Sequence, residues 1–223
     1  MAIPKTIFQT FKTSELPLIT QWHIRRMKKR NPAYEYEFYD DLRIDKFIKD
    51  EYGLEIFQLY KKINIGAAKA DFFRYAILYK KGGIYLDIDS LLLKKLDNFI
   101  LPSDSAIVSF EDNKEKKESI YIQWALAFEA GHPFLKKTIE LVIDNLKNNR
   151  FPNDVHKMTG PTAYTTAIGE CLKETPTVQY RLMGFDYDQN FKFHYSMSKF
   201  FFYGLSRKNH WKTEQQTKPV MKL

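Results

Sequence analysis

Apolar positions recur at spacings of three and four along residues 65–80: Ala67, Ala70, Phe73, Ile77 and Leu78. That spacing predicts a helix from Ile65 to Lys80, closed by Gly82-Gly83. The next residues, Ile84–Ile88, form a short apolar run that reads as a buried strand. Upstream, Lys5–Phe11 follows Pro4 as a first β-prone segment. Leu18, Trp22, Ile24 and Met27 predict a helix over Leu18–Lys29 with a basic outer face, stopped by Asn31-Pro32. Tyr34–Tyr39 alternates aromatic and acidic residues, as a half-buried strand does. Asp40-Asp41 opens a helix expected to end at Gly53, with Leu54–Lys62 helical after it.

The second half reads as Ser90–Leu93, Ala106–Phe110 and Ile120–Glu129 in strands. Helices follow at Phe134–Asn148 and after Thr159-Gly160-Pro161, where proline suits a first turn. Val178–Leu182, Tyr187 and Tyr195 fall in short extended pieces. Glu111–Ser119 is charged and patternless and reads as a mobile loop; residues 214–223 read as a disordered tail. Alternating helices and β runs predict an α/β fold: an open, mostly parallel, twisted sheet flanked by helices, in a single domain over residues 1–213. Sheets of that kind bind ligands at the carboxyl ends of their strands.

Composition adds limits. The 223 residues are 44% hydrophobic and 28% charged, ordinary for a soluble globular chain with a sizeable core. The single cysteine, Cys171, excludes an intramolecular disulfide and fits a reducing compartment. The N-terminus lacks the pattern of a secretory signal, and no run approaches the about 18–20 apolar residues of a membrane span. The expectation is a cytoplasmic protein. The net charge of +8 favours anionic partners. Its one cluster, residues 23–30, comes without any RNA-binding or zinc-finger spacing, so nucleic acid is not the expected partner. Together with the aromatic-basic stretch 199–203, that cluster suits peripheral contact with an anionic membrane on its inner face. The alternative is a buried strand with incidental charge.

The chemistry concentrates in KKGGIYLDIDSL, residues 80–91. Asp87 and Asp89 stand at i and i+2, which in a strand puts both on one face. Adjacent carboxylates repel unless a cation intervenes, and Mg²⁺ and Mn²⁺ prefer such oxygen donors together with phosphate oxygens. The alternative is a solvated pair at a strand end. Asp71 and Arg74 share a face of the preceding helix among apolar Phe72, Phe73, Ile77 and Leu78, which suggests a buried acid and base near the pair rather than a surface bridge.

These residues resemble a family. NIGAAKADFFRYAILY (residues 64–79) followed by GGIYLDID (residues 82–89) looks like the DXD sugar-binding region of glycosyltransferase family 32, which is related to the large glucosylating toxins. Residues 3–11, 31–36 and 159–161 are similar to further landmarks of that family, so the likeness runs from residue 3 to about 211. The resemblance implies a GT-A fold and retaining transfer of a hexose or N-acetylhexosamine from a nucleotide diphosphate sugar (UDP- or GDP-linked), with Mn²⁺ or Mg²⁺. The acceptor would be a glycan or lipid-linked glycan, as in surface polysaccharide synthesis. By matching position, Asp89 would ligate the metal and Asp87 would contact ribose or sugar and support the metal. Asp71 and Arg74 would hold the sugar hydroxyls, and Tyr85 would shape the donor pocket. Phe11, bordered by Thr10 and Gln9, would pack on the base; core packing is its alternative.

The chain departs from that family at its closing motif, where His210-Trp211 stands in place of a histidine-rich stretch ending in Ser-Trp. His210 as a third metal ligand and Trp211 as a cover over the sugar are the expectation; an exposed histidine on a loose tail is the alternative. Arg207 and Lys208 would meet the diphosphate if this segment closes as a lid. Gln123, Trp124 and Glu129 are read as core or surface rather than acceptor contacts. The rival readings are a non-catalytic nucleotide-sugar or glycan-binding protein of the same fold, and a phosphohydrolase using the aspartate pair.

Overall fold

The computed structural model describes residues 2–111, 120–195 and 211–222. Its centre is a six-stranded sheet in the order β2-β1-β3-β6-β5-β7, built from β1 (Thr6–Thr10), β2 (Glu35–Tyr39), β3 (Gly83–Leu86), β5 (Ala106–Ser109), β6 (Ala125–Phe128) and β7 (Arg181–Met183). β1 pairs in parallel with β2 and β3, and β5 with β7; β6 runs antiparallel to both its neighbours. A two-stranded ribbon, β4 (Leu91–Leu92) with β8 (Phe191–Lys192), lies apart from the main sheet. This is the α/β, mostly parallel architecture expected of a GT-A fold.

The helices are α1 (Leu18–Arg30), α2 (Asp41–Lys61), α3 (Gly66–Lys81), α4 (Pro133–Lys147), α5 (Val155–Met158), α6 (Pro161–Glu174) and α7 (Trp211–Thr217). Strand side chains alternate between two cores, as the two-residue period requires. On β3, Tyr85 joins the core beneath α3, α4 and α6, whereas Ile84 and Leu86 join the core beneath α1 and β4. β3 is therefore buried on both faces, which is why its sequence is continuously apolar.

α3 explains its own pattern. Every residue from Asp71 to Leu78 is buried, so the helix is enclosed on all sides, polar residues included. It stops at Gly82, whose φ of +64° suits glycine. Gly83 continues at +109°, and a Cβ there would lie 2.7 Å from the carbonyl oxygen of Thr6.

Four expectations need correction. α2 does not end at Gly53; it kinks there, with φ +80°, and runs on to Lys61. Tyr187 is not extended but lies in a left-handed turn, residues 186–189, where its hydroxyl donates to the carbonyl of Ala125. β3 ends at Leu86, so Asp87 and Asp89 are not on a strand: the Ser90 amide donates to the Asp87 carbonyl at 2.9 Å and closes a turn. The tail is not disordered over 214–222. α7 is followed by Val220 and Met221, both buried, and the backbone of 220–222 bonds to Asn64, Pro152 and Lys62. Its polar composition hid the two apolar residues that close the core. The loop expectation at 112–119 lies outside the described residues.

Candidate active site

β1 and β3 are parallel neighbours and deliver their carboxyl ends to one edge of the sheet, where Thr10, Phe11 and the 87–89 turn emerge. α3, which leads into β3, lies against that edge and contributes Asp71 and Arg74. Sequence neighbours on opposite sides of the Gly82-Gly83 turn thus meet in space.

Arg74 is the hub. Its Nη2 lies 3.0 Å from Asp87 Oδ1 and 3.3 Å from Asp71 Oδ1, with the Arg74 and Asp71 side chains about 5% and 4% exposed. Nη1 donates to the Gln123 carbonyl at 3.0 Å, and the guanidinium sits 4.9 Å over the Tyr85 ring. The Tyr85 hydroxyl donates to Asp87 Oδ1 at 3.0 Å. Asp87 keeps 24% of its side chain exposed and is the outward-facing member of this group. Its Oδ1 takes both Arg74 and Tyr85, and neither of these contacts uses Oδ2.

Asp71 is held from within. Gln123 Nε2 donates to its Oδ1 at 3.0 Å and Thr159 Oγ1 to its Oδ2 at 2.8 Å. With Arg74 these donors occupy three of its about four lone-pair directions. Tyr75 completes the network, its hydroxyl shared between Gln123 Oε1 and the Thr159 carbonyl. Gln123 and Thr159 were not read as partners of Asp71 in the sequence. Thr159 stood out as a helix-start signal and as part of a family landmark, and Gln123 was read as core or surface; neither signal points to Asp71.

Burial pushes the Asp71 carboxyl up to about 6; Arg74 and the Thr159 and Gln123 bonds oppose the shift without cancelling it. Asp87 is raised by burial too, against Arg74 and the Tyr85 bond. For Arg74, burial works against the charge, but Asp87, Tyr85 and Asp71 outweigh it and fix the guanidinium as a cation. One buried cation thus serves two carboxylates, and the group carries net negative charge when both are ionised.

The remaining expected residues take distinct places. The Thr10 hydroxyl is used locally, donating to the Tyr39 carbonyl at 2.8 Å. Gln9 is buried and its side-chain amide donates to the Asp87 carbonyl at 3.1 Å, so β1 braces the turn through a side chain. Phe11 is half-buried at the end of β1. Asp89 is half-buried in the turn, where its carbonyl accepts from the Tyr195 amide at 3.1 Å. Trp211 opens α7 with its ring 5.0 Å from that of His156. His210, Arg207, Lys208 and 199–203 lie outside the described residues. Among the described residues, no three His, Cys, Asp or Glu side chains cluster as a metal cage. The described residues of the turn offer two carboxylates, Asp87 and Asp89, and carboxylates are among the oxygen donors that hard cations take.

Residues 20–107 match the family described as glycosyltransferase sugar-binding region containing DXD motif. The chain is 29% identical over 195 residues to the initiation-specific alpha-1,6-mannosyltransferase of Schizosaccharomyces pombe, covering 76% of this chain and 49% of that protein. It is 34% identical over 179 residues to inositol phosphoceramide mannosyltransferase 3 of the same organism, covering 80% and 48%. The chain thus spans about half the length of these relatives. Among solved structures it is similar to the PaToxG glycosyltransferase, with a TM-score of 0.60 and 21% identity over 78% of this chain and 70% of that one. The matched region, residues 20–107, holds α3, β3 and the Asp87–Asp89 turn, and the fold around it is similar to that of a glycosyltransferase domain: this stretch is a glycosyltransferase sugar-binding region of the DXD type.

Proposed function

We propose that the protein is a metal-dependent, retaining glycosyltransferase that moves a hexose or N-acetylhexosamine from a nucleotide diphosphate sugar to a glycan or lipid-linked glycan acceptor. The mannosyltransferase names of its relatives put mannose first among donors to test. The observation that carries the reading is Arg74, clamped between Asp71 and Asp87 at the carboxyl end of β3. A solvated carboxylate pair would not need a buried cation, a tyrosine and a buried amide to fix its geometry, and a simple phosphohydrolase would leave that scaffold without a purpose.

Asp87 Oδ2 and the Asp89 carboxylate would hold Mn²⁺ or Mg²⁺, which when bound supplies positive charge for a diphosphate leaving group. Arg74 and Tyr85 keep Asp87 oriented before substrate arrives, so no reorganisation is required at the moment of transfer. Asp71, with one lone-pair direction left, and Arg74 form the floor against which the sugar rests. In the transfer, the bond from the anomeric carbon to the diphosphate oxygen breaks. The acceptor oxygen bonds that carbon on the same face, and its proton passes to the departing diphosphate oxygen.

The test is hydrolysis and transfer with UDP- and GDP-hexoses, with and without Mn²⁺, on wild type and Asp89→Asn. Metal-dependent release of nucleoside diphosphate with the anomeric configuration kept, lost in the variant, supports the reading. Thermal stabilisation by a nucleotide sugar without any turnover would instead make the chain a non-catalytic binding protein of the same fold.

A further inference from the structure

α1 carries five cations, Arg25, Arg26, Lys28, Lys29 and Arg30, and no acid. Among the described residues none of the five forms an ion pair, although most other basic side chains do, Lys46, Lys61, Lys137 and Lys147 among them. Surface charge left uncompensated over a single helix repels itself and persists where it meets an anionic partner.

The same helix exposes apolar surface. Leu18 is 81% exposed and Trp22 48%, one turn apart, and Arg25 and Lys29 continue their stripe at helical spacing. The Arg26 guanidinium lies 5.3 Å over the Trp22 ring. The inner face is anchored: Thr20 and Met27 are buried, and Arg30 donates to the Leu93 carbonyl at 3.3 Å. Leu93 is itself exposed, and Lys94 and Lys95 follow it on the surface, with no ion pair to either among the described residues. A rigid face that mixes unpaired cations with an exposed tryptophan and leucines matches the chemistry of a headgroup layer, charged at the phosphates and apolar just below.

We propose that the α1–β4 face seats the protein on an anionic phospholipid bilayer, with the α1 cations against headgroup phosphates and Leu18, Trp22 and Leu93 at the acyl boundary. The face is tied to the candidate active site. Thr20 Oγ1 is 2.6 Å from the Tyr195 hydroxyl, the His23 ring stacks on that of Tyr195, and the Tyr195 amide bonds the Asp89 carbonyl. These ties run from the inner side of α1, so the helix stands between a bilayer on its outer face and the Asp87–Asp89 turn. The docking itself does not rest on the transfer chemistry.

The experiment is co-sedimentation of the full chain with vesicles of phosphatidylcholine alone or mixed with phosphatidylserine, at low and high salt. Binding is expected to the mixed vesicles and to weaken with salt. It should fall about 100-fold in Arg25→Gln/Lys28→Gln/Lys29→Gln and also in Trp22→Ala, where charge is unchanged. Melting temperatures report the integrity of each variant, and Lys29→Glu alone replaces the triple variant if that one melts low. Equal binding to neutral vesicles, retention by folded charge variants, or tighter binding to a single-stranded oligonucleotide than to anionic vesicles overturns the proposal. Nucleotide-sugar hydrolysis is read without lipid, so its absence in wild type defeats the transferase reading and leaves the vesicle result standing.

Discussion

Arg74 and Asp87 lie 3.0 Å apart although one belongs to a helix interior and the other to a turn beyond a strand. The contact joins the two halves of the DXD region and makes the exposed carboxylate depend on a cation with almost no solvent access. Removing one partner of a buried pair leaves the other uncompensated. Arg74→Ala is expected to destabilise the protein by about 3–5 kcal/mol in urea titration. Arg74→Lys should recover part of that stability and little turnover, because an ammonium cannot reach Asp71, Asp87 and the Gln123 carbonyl together.

The raised Asp71 carboxyl has a signed consequence for pH. Its folded value of about 6 exceeds the ordinary 3.8, so the folded state binds more protons between those values. This contribution to stability is fully present below pH 3.8 and is lost as pH rises through about 6. Asp71→Asn should flatten that part of the stability–pH curve, with a residual slope from Asp87, which is raised in the same direction. An unaltered slope, measured by denaturant titration across the range, would show that Asp71 does not titrate there.

Tyr85→Phe keeps the ring beneath Arg74 and removes one donor to Asp87. A hydrogen bond to a charged group is worth about 1.5–3 kcal/mol, so a loss of that order is expected together with weaker nucleotide-sugar turnover. Stability and hydrolysis assays on the same preparation check both, and unchanged turnover would remove Tyr85 from the role of orienting Asp87.

Gly83→Ala tests the backbone under the site. The position combines positive φ with a Cβ contact of 2.7 Å to the Thr6 carbonyl, in the parallel ladder that aligns β1 with β3. Strain and overpacking each cost about 1–3 kcal/mol, so this small substitution should lower the melting temperature sharply.

Deleting residues 218–223 tests the closing segment. Val220 and Met221 are buried against the main core, and each is worth about 1.5–3 kcal/mol of apolar burial. Their loss should appear as a lower denaturant midpoint. An unchanged midpoint would return the tail to the disordered state its composition suggests.

The local elements were legible because their causes are local. α3 and β3 follow from the spacing of apolar residues between Ile65 and Leu86, and Asp40 caps α2 through its bond to the Arg43 amide, as a helix-start signal should. The run from Asp71 to Asp89 also pointed to the family, because its chemistry lies within one helix, one turn and one strand. Only the tertiary structure decided how those carboxylates are held. Gln123 and Thr159 reach Asp71 from distant parts of the chain, and no periodicity encodes a bond across such separations. The end of β3 at Leu86 was likewise set by the antiparallel partner β6 and the Asp87–Ser90 turn, not by β propensity, which runs on through Ile88. The fate of the tail depended on two apolar residues finding a gap between Asn64 and Pro152, a vacancy that exists only once the rest of the core has assembled. Pattern along a chain fixes what a segment is able to bury; which partners complete it is settled by packing in three dimensions.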